Sequence, residues 1–132
     1  MRRYRVAALV LAALAVSAQA WAHHSFAATY LEDQKQTIEG KLMQLAFRGP
    51  HSFVQVQVME PDGSATIYVV EWGSAAQLNG QGVKRDTLKP GDMVVISGNP
   101  GRNAADHRMR LLTFKRPRDG WSWGVLPGQT AD

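Results

Sequence analysis

The most informative absence in this sequence is that of cysteine, which occurs nowhere in its 132 residues. Without cysteine the chain has no disulfide framework, no thiolate to bind a metal and no site for a lipoprotein anchor. A small exported domain of this kind must rely on its hydrophobic core for stability. A closed zinc site is also disfavoured, because the histidines are scattered along the chain and no thiolate can join them.

The sequence also lacks a hydrophobic run long enough to span a membrane. Residues 1–22 read MRRYRVAALVLAALAVSAQAWA, in which three arginines precede the apolar stretch. That stretch has about ten residues, whereas a spanning helix needs about 20. Ala20 and Ala22 then provide the small residues that a signal peptidase requires. We therefore predict a cleaved signal peptide over residues 1–22, cut after Ala22 or after Ala20, with an uncleaved anchor as the alternative. The remainder is expected to be periplasmic or secreted, with no membrane span.

Net charge is also small once this segment is removed. Cleavage after Ala22 leaves 110 of the 132 residues, which is enough for one domain with a modest core. Three of the 15 Lys and Arg leave with the signal peptide, so 12 face the 11 Asp and Glu and the net charge falls to +1. Bulk charge therefore gives no reason to expect a surface for a polyanion, and nucleic acid is a disfavoured partner.

Recognisable catalytic motifs are missing as well. The sequence has no nucleophile elbow, no HExxH and no Gly-rich phosphate loop that follows a strand. Ser25 and Ser52 each follow a histidine, but neighbouring residues in a strand point to opposite faces. We therefore expect a non-enzymatic protein with no catalytic residues.

What the mature chain does contain is a pattern typical of short β-strands. Alternating residues predict strands at 37–47, 52–60, 65–72, 93–98 and 108–114. In the first strand the alternation slips near Gly40, which indicates a bulge. Ser74 is a good N-cap for a short helix through Leu78, between strands three and four. We predict an all-β fold, a small five-stranded OB-like barrel with that helix, because closure hides the edges of so few strands. An antiparallel sandwich is the alternative.

These elements also suggest how the chain is organised. The predicted parts are a signal peptide (1–22), an N-terminal lead-in (23–36), an OB-like barrel domain (37–116) and a tail rich in Gly, Pro and Trp (117–132). We expect the tail to pack poorly beyond Trp123. Trp121 and Trp123 either cap the barrel or dock on a partner. The basic residues of 108–118 are interpreted as a solvated strand edge that resists edge-to-edge pairing.

Several motifs follow one another in the mature sequence: HHSFAATY, EGKL, PHSFVQV, VEWGSAAQL and TLKPGDMVVISGNPGR. In these motifs the chain resembles a family of small secreted bacterial proteins known as domain of unknown function 6152. The resemblance extends from His23 to about Gly120. The chain departs from the family pattern at Gly49, where Asn is usual, and at Asn99, where His usually precedes the proline. The resemblance implies a single secreted domain and supplies no activity.

The adjacent histidines of the first motif suggest a metal site. After cleavage at Ala22, the α-amine and imidazole of His23 can chelate a divalent ion, and His24 or a distant histidine adds a third nitrogen. Such nitrogen sets suit the square-planar geometry of Cu(II). Cleavage after Ala20 places His23 third from the amine, which also suits copper and nickel.

Three further residues complete the hypothesis. His51 lies in the turn before the second strand and shares its parity with Gln55, so it points away from the valine core. Glu71, at the end of the third strand, can orient an imidazole, and His107 lies in the last long loop. We predict metal ligands at His23, His24 and His51, with Glu71 and His107 as further candidates and copper as the cofactor.

The alternative assigns these residues structural roles. The histidine pair is then a polar lead-in, His51 bonds turn backbone and Glu71 is a solvated strand end. On this interpretation the protein is an interaction domain that recognises an envelope protein or a cell-envelope ligand without metal.

Overall fold

The structure is a computed structural model that describes residues 26–131. The predicted signal peptide, His23 and His24 lie outside the described residues. The strands are β1 (Gln36–Ala46), β2 (Ser52–Met59), β3 (Ala65–Trp72), β4 (Met93–Pro100), β5 (Arg108–Arg116) and β6 (Trp121–Trp123), with helix α1 (Ala75–Gly80) and a 3₁₀ turn (Ala104–Asp106). No helix in the described part of the chain is both long and apolar enough to cross a bilayer.

Five of the strands close into a barrel. The sheet order is β3-β2-β1-β4-β5-β6, and an additional parallel pairing between β3 and β5 closes the ring. The other neighbouring strands pair antiparallel. This topology, with α1 between β3 and β4, is that of an OB-like barrel. The predicted all-β, five-stranded barrel with one short helix is therefore confirmed, and β6 adds a short edge strand beside β5.

The bulge predicted in the first strand is present in β1. Its register against β2 shifts between Leu42 and Gln44, so that Met43 is the extra residue. Gly40 lies just before this shift, where a Cβ would come within 2.2 Å of the Gln57 carbonyl oxygen. Glycine is therefore needed at this position because the backbones of β1 and β2 approach too closely for a side chain.

The core is built from the inward faces of the strands. Trp72 lies at its centre, with ring centroids 5.3 Å from Phe114 and 5.1 Å from Trp123. Helix α1 adds the buried side chain of Leu78. The predicted cap is present, because Ser74 Oγ accepts a hydrogen bond from the Gln77 N–H at 3.1 Å. Trp123 is buried in this cluster and so closes the barrel instead of offering its ring to a partner.

The tail is only partly packed beyond Trp123: Val125 and Leu126 are exposed, as expected, whereas its last residues are held on the barrel. The Gln77 side-chain amide donates to the Thr130 carbonyl oxygen at 3.0 Å, and that of Gln81 donates to the Gly128 carbonyl oxygen at 3.2 Å. Ala131 is buried. The prediction therefore holds for residues 125–128 and fails at the end of the tail, because side-chain amides in and just after α1 hold that end by its backbone, and such contacts leave no periodic pattern in the sequence.

A buried ion pair fixes the start of β4. Arg116 Nη1 lies 3.0 Å from Asp92 Oδ2, which also accepts the Lys89 backbone N–H at 3.0 Å. Arg116 is shared with Asp119, at 2.9 Å. Burial opposes ionisation of Asp92, but the Lys89 N–H and the Arg116 guanidinium outweigh it and hold the pKa of that carboxyl below its usual value.

Candidate functional site

The segment that follows the histidine pair is fastened to the barrel. Residues 26–29 are helical, and the next residue, Tyr30, forms an isolated β-bridge with Gly101. Phe26 and Tyr30 are one turn apart and both buried, as expected for residues on one helix face. Arg102 donates from Nε to the Ala27 carbonyl oxygen at 2.7 Å. The HHSFAATY motif therefore ends in a turn, here called the N-terminal turn (26–30), that is held on the β4–β5 loop.

His51 lies beside this turn, at the start of β2. Its Nδ1 is 3.3 Å from Glu71 Oε1, and the side chains of His51 and Glu71 are 35% and 13% exposed. Because Ser52 pairs with Trp72, His51 and Glu71 are diagonal neighbours across β2 and β3. The contact that the sequence suggested between Glu71 and an imidazole is therefore present; its part in metal binding stays a prediction.

The same carboxylate accepts a hydrogen bond from the N-terminal turn. Tyr30 is fully buried, and its hydroxyl donates to Glu71 Oε2. Burial and this hydrogen bond raise the pKa of Tyr30 well above its ordinary value. The phenol therefore stays protonated and acts as a donor at neutral pH. Glu71 thus links the N-terminal turn to His51, one carboxylate oxygen facing each partner.

The ring of Phe26 brings the start of the described chain onto His51. The two rings meet edge to face, with centroids 5.8 Å apart. Phe26 also makes a cation–π contact, because the Arg110 guanidinium lies 3.8 Å from the centroid of the Phe26 ring. Arg110 is itself buried and pairs with Glu32 at 3.2 Å. Phe26, Tyr30, His51 and Glu71 form what is called here the His51 cluster.

The His51 cluster places a carboxylate beside an imidazole, an arrangement that is common behind histidines that bind metal ions. A carboxylate beside Nδ1 favours the tautomer with the proton on that nitrogen, which leaves the Nε2 lone pair to accept or to coordinate. Within residues 26–131, no group of three or more His, Asp and Glu side chains is placed to hold a metal ion. The metal-ligand set predicted from the sequence therefore depends on His23 and His24, which lie outside the described residues.

In the sequence, His24 stands two residues before Phe26, and His23 and His24 both lie outside the described residues. The Phe26 ring already touches the imidazole of His51. A contact of His23 or His24 with His51 therefore stays a prediction.

His107 is placed elsewhere. Its ring packs edge to face on Tyr68, with centroids 5.3 Å apart, and the residue is exposed. It adopts the left-handed conformation, with φ of 46°. In the part of the chain that the structure describes, no group of metal-binding side chains joins His107 to His51. The structure therefore brings Glu71 to His51 and pairs His107 with an aromatic ring.

Four members of this region were not predicted from the sequence: Phe26, Tyr30, Glu32 and Arg110. One signal was available, because Phe26 and Tyr30 are spaced i, i+4 in the HHSFAATY motif, the spacing of one helix face. Nothing in the sequence indicated that this face would cover β3 and β5, or that Arg110 would be buried between an aromatic ring and a carboxylate.

Comparisons with known proteins give a family and a distant structural likeness. A model described as a family of unknown function, DUF6152, matches residues 10–110. No curated protein matches the chain. Rim1, described as a mitochondrial single-stranded DNA binding protein from S. cerevisiae, is 16% identical in its crystal structure and aligns with a TM-score of 0.42, over 67% of this chain and 79% of that chain. A likeness of this extent says nothing about ligands.

Proposed function

The chain belongs to this family of unknown function, and we propose that it is an exported binding protein that holds a copper-type divalent ion at the barrel rim. The ligands would be His23, His24 and His51, exposed after removal of the signal peptide in the periplasm. The observation that carries the proposal is the His51 cluster. There, Glu71 faces Nδ1 of His51 at 3.3 Å, and Phe26 seats the chain just after the histidine pair on the same imidazole.

The nitrogen donors suit Cu(II) better than other common divalent ions. Cleavage after Ala22 gives His23 both an α-amine and an imidazole, and His24 and His51 each add an imidazole. Nitrogen-rich, tetragonal sets are typical of Cu(II), which also forms the most stable complexes of the divalent first-row series. Cleavage after Ala20 keeps His23 within three residues of the new amine and preserves this preference.

The role of the barrel is to present one preformed ligand. Glu71 orients the imidazole and places negative charge near the cation, as carboxylates often do for metal-bound histidines. Tyr30 fixes the second oxygen of that carboxylate. The barrel therefore supplies one nitrogen that is already held in position, which lowers the entropy lost on binding.

The test is a Cu(II) titration of tag-free protein that begins at His23. We expect one ion per chain and a visible d–d band. His23→Ala and His51→Ala should each weaken binding and shift the band, because each removes a nitrogen ligand. His107→Ala is the matched control, since that imidazole packs on Tyr68. A version with one glycine before His23 tests the amine separately.

Two results would reject the proposal. One is the absence of a band at stoichiometric copper. The other is a band that His51→Ala leaves unchanged, which would show that the chain start binds copper without the barrel. A form kept in the cytoplasm, or an exported form that retains residues 1–22, would lack the amine on which the site depends.

A second candidate function is supported by the outer face of the β1–β3 sheet. A shallow groove there is lined by Gln44, Ala46, Arg48, Phe53, Gln55 and Val69. Arg48 lies over the Phe53 ring at 5.4 Å, which gives a cation and an aromatic face in one place. This favours an interaction domain for a cell-envelope ligand. Cosedimentation with purified peptidoglycan that Phe53→Ala abolishes, without any copper band, would replace the metal proposal.

A further inference from the structure

A second concave region lies on the other side of the N-terminal turn. It is a cavity of about 340 Å³ between β3 and the β4–β5 loop. Its polar lining includes Gln36, Tyr68, Arg102, Asn103, His107 and Arg108. The volume lies at the lower end of the range for small-molecule sites. It is called here the loop cavity.

The charge of the loop cavity is positive. Arg102 and Arg108 line it, and none of the described residues that line it is acidic. Arg102 uses Nε to hold the Ala27 carbonyl oxygen, and Arg108 reaches the hydroxyl of Tyr30. Within residues 26–131, neither guanidinium has a carboxylate partner in an ion pair. Since a guanidinium carries five N–H donors, each arginine retains donors for an anion.

The wall that carries His107 is fixed in a strained backbone conformation. His107 has φ of 46° and ψ of 47° as the residue that ends the 3₁₀ turn. Two backbone hydrogen bonds hold His107 and the next residue: the Val69 N–H donates to the His107 carbonyl oxygen at 3.0 Å, and the Gly101 N–H donates to the Arg108 carbonyl oxygen at 2.8 Å. Non-glycine residues in this region of φ are uncommon and concentrate at binding sites.

The same wall presents an aromatic surface. The Tyr68 ring is half-buried and meets the His107 ring edge to face. The Tyr68 hydroxyl accepts a hydrogen bond from Gln36 Nε2 at 3.3 Å, which restrains the phenol. A planar group entering the loop cavity would therefore meet two rings that are already held in position.

From these observations we infer that the loop cavity binds a small planar organic anion. The anionic head, a carboxylate or a phosphate monoester, contacts Arg102 and Arg108, and the planar body packs beside Tyr68 and His107. Arginine suits both heads, because its planar fork matches their oxygens. The site is separate from the proposed copper ligands and does not depend on them.

The experiment uses ¹⁵N-labelled mature protein in the presence of EDTA, so that failure of the copper proposal cannot affect it. Benzoate and phenyl phosphate are the probes, and benzyl alcohol and inorganic phosphate are the comparison compounds. We expect saturable shifts of amide signals in residues 101–108 and at Tyr68 with both aromatic anions. The relative response to benzoate and phenyl phosphate distinguishes the two heads.

Variants test the named contacts. Arg102→Gln and Arg108→Gln should each weaken binding of the better aromatic anion by about tenfold, and Tyr68→Leu should weaken the aromatic anions but not inorganic phosphate. Arg118→Gln is the matched control, because Arg118 is an exposed arginine that contacts Asp92 at 3.4 Å. If Arg102→Gln loosens the N-terminal turn, the salt dependence of wild-type binding still decides, since an arginine-held anion should dissociate as NaCl rises.

Three outcomes would overturn the inference. They are the absence of shifts in the β4–β5 loop, equal binding of benzyl alcohol, and affinity that neither salt nor the arginine variants reduce. Binding of inorganic phosphate as tight as that of phenyl phosphate would also reject it, because the aromatic wall would then contribute nothing.

Discussion

At the scale of single residues, Glu71 is the residue that connects Tyr30 and His51 in the His51 cluster. One oxygen faces Nδ1 of His51, and the other accepts the hydroxyl of the buried Tyr30. Removing either partner would leave the carboxylate free to turn. The position of the imidazole is therefore set by a residue that would not itself contact the ion.

Substitution of Glu71 tests this role directly. We predict that Glu71→Gln weakens Cu(II) binding by about 10–100-fold, because the amide keeps the shape but loses the charge that orients and supports the imidazole. Competition titration against a chelator measures the change. Glu39→Gln, on the exposed face of β1, is the matched control. Equal losses in the two variants would indicate a general charge effect and contradict the role of Glu71.

Tyr30 gives a second prediction, for stability at high pH. Its folded-state pKa is raised above the unfolded value of about 10. The contribution to stability is therefore complete below pH of about 10 and is lost as pH rises through the folded-state pKa. Tyr30→Phe should lower the free energy of unfolding by about 1 kcal/mol at neutral pH, because the hydrogen bond is lost. The variant should also lose less stability than the wild type as the pH rises above about 10. Urea unfolding at several pH values measures both; parallel curves would contradict the assignment.

At the scale of elements, the barrel could be predicted because its strands alternate. In β2, Val54 and Val56 are buried and Gln55 is exposed, as the parity of the sequence requires. The Ser74 cap and the β-bulge near Gly40 could also be predicted from the sequence, because each depends on local chemistry. β6 was not, since three residues are too few to show a period.

The candidate site was only partly predictable for a related reason. His51 and Glu71 stood out by residue type and parity. The covering elements did not, because contacts that hold the N-terminal turn and the tail include those of long polar side chains such as Arg102 and Gln77. A long polar side chain that bonds distant backbone has no signature in the order of residues.

The close approach of β1 and β2 gives a prediction for an element. Gly40→Ala should destabilise the protein by about 2 kcal/mol, because the new methyl would lie against the carbonyl oxygen of Gln57, which the sheet holds in place. Gly80→Ala is the matched control: it has open space around it and ends helix α1, so alanine should change stability by less than about 1 kcal/mol. Chemical denaturation compares the two. Equal effects would show that β1 can shift.

At the scale of the whole molecule, the buried ion pair between Asp92 and Arg116 at the start of β4 contributes to resistance to acid. Asp92 has a depressed pKa in the folded state. Its contribution is complete above the unfolded-state pKa of about 3.9 and is lost as pH falls through the lower folded-state value.

We predict that Asp92→Asn lowers the free energy of unfolding at neutral pH by about 2 kcal/mol, through the lost charge-assisted bonds to Arg116 and Lys89. The variant should also lose less stability between pH of about 5 and 2 than the wild type. Asp119→Asn, the exposed carboxylate on the same arginine, should change both quantities less. Thermal unfolding across this pH range is the measurement, and a larger effect at Asp119 would refute the prediction.

The parallel pairing of β3 with β5 has a consequence for the order in which the chain can fold. The pairing joins Val69 to Arg108, and the turn that begins the described chain rests on the loop just before that strand. Contacts so distant along the chain form late, because a long loop must first be closed. During synthesis the N-terminal turn would therefore emerge early and yet dock late, after the final third of the polypeptide has followed it.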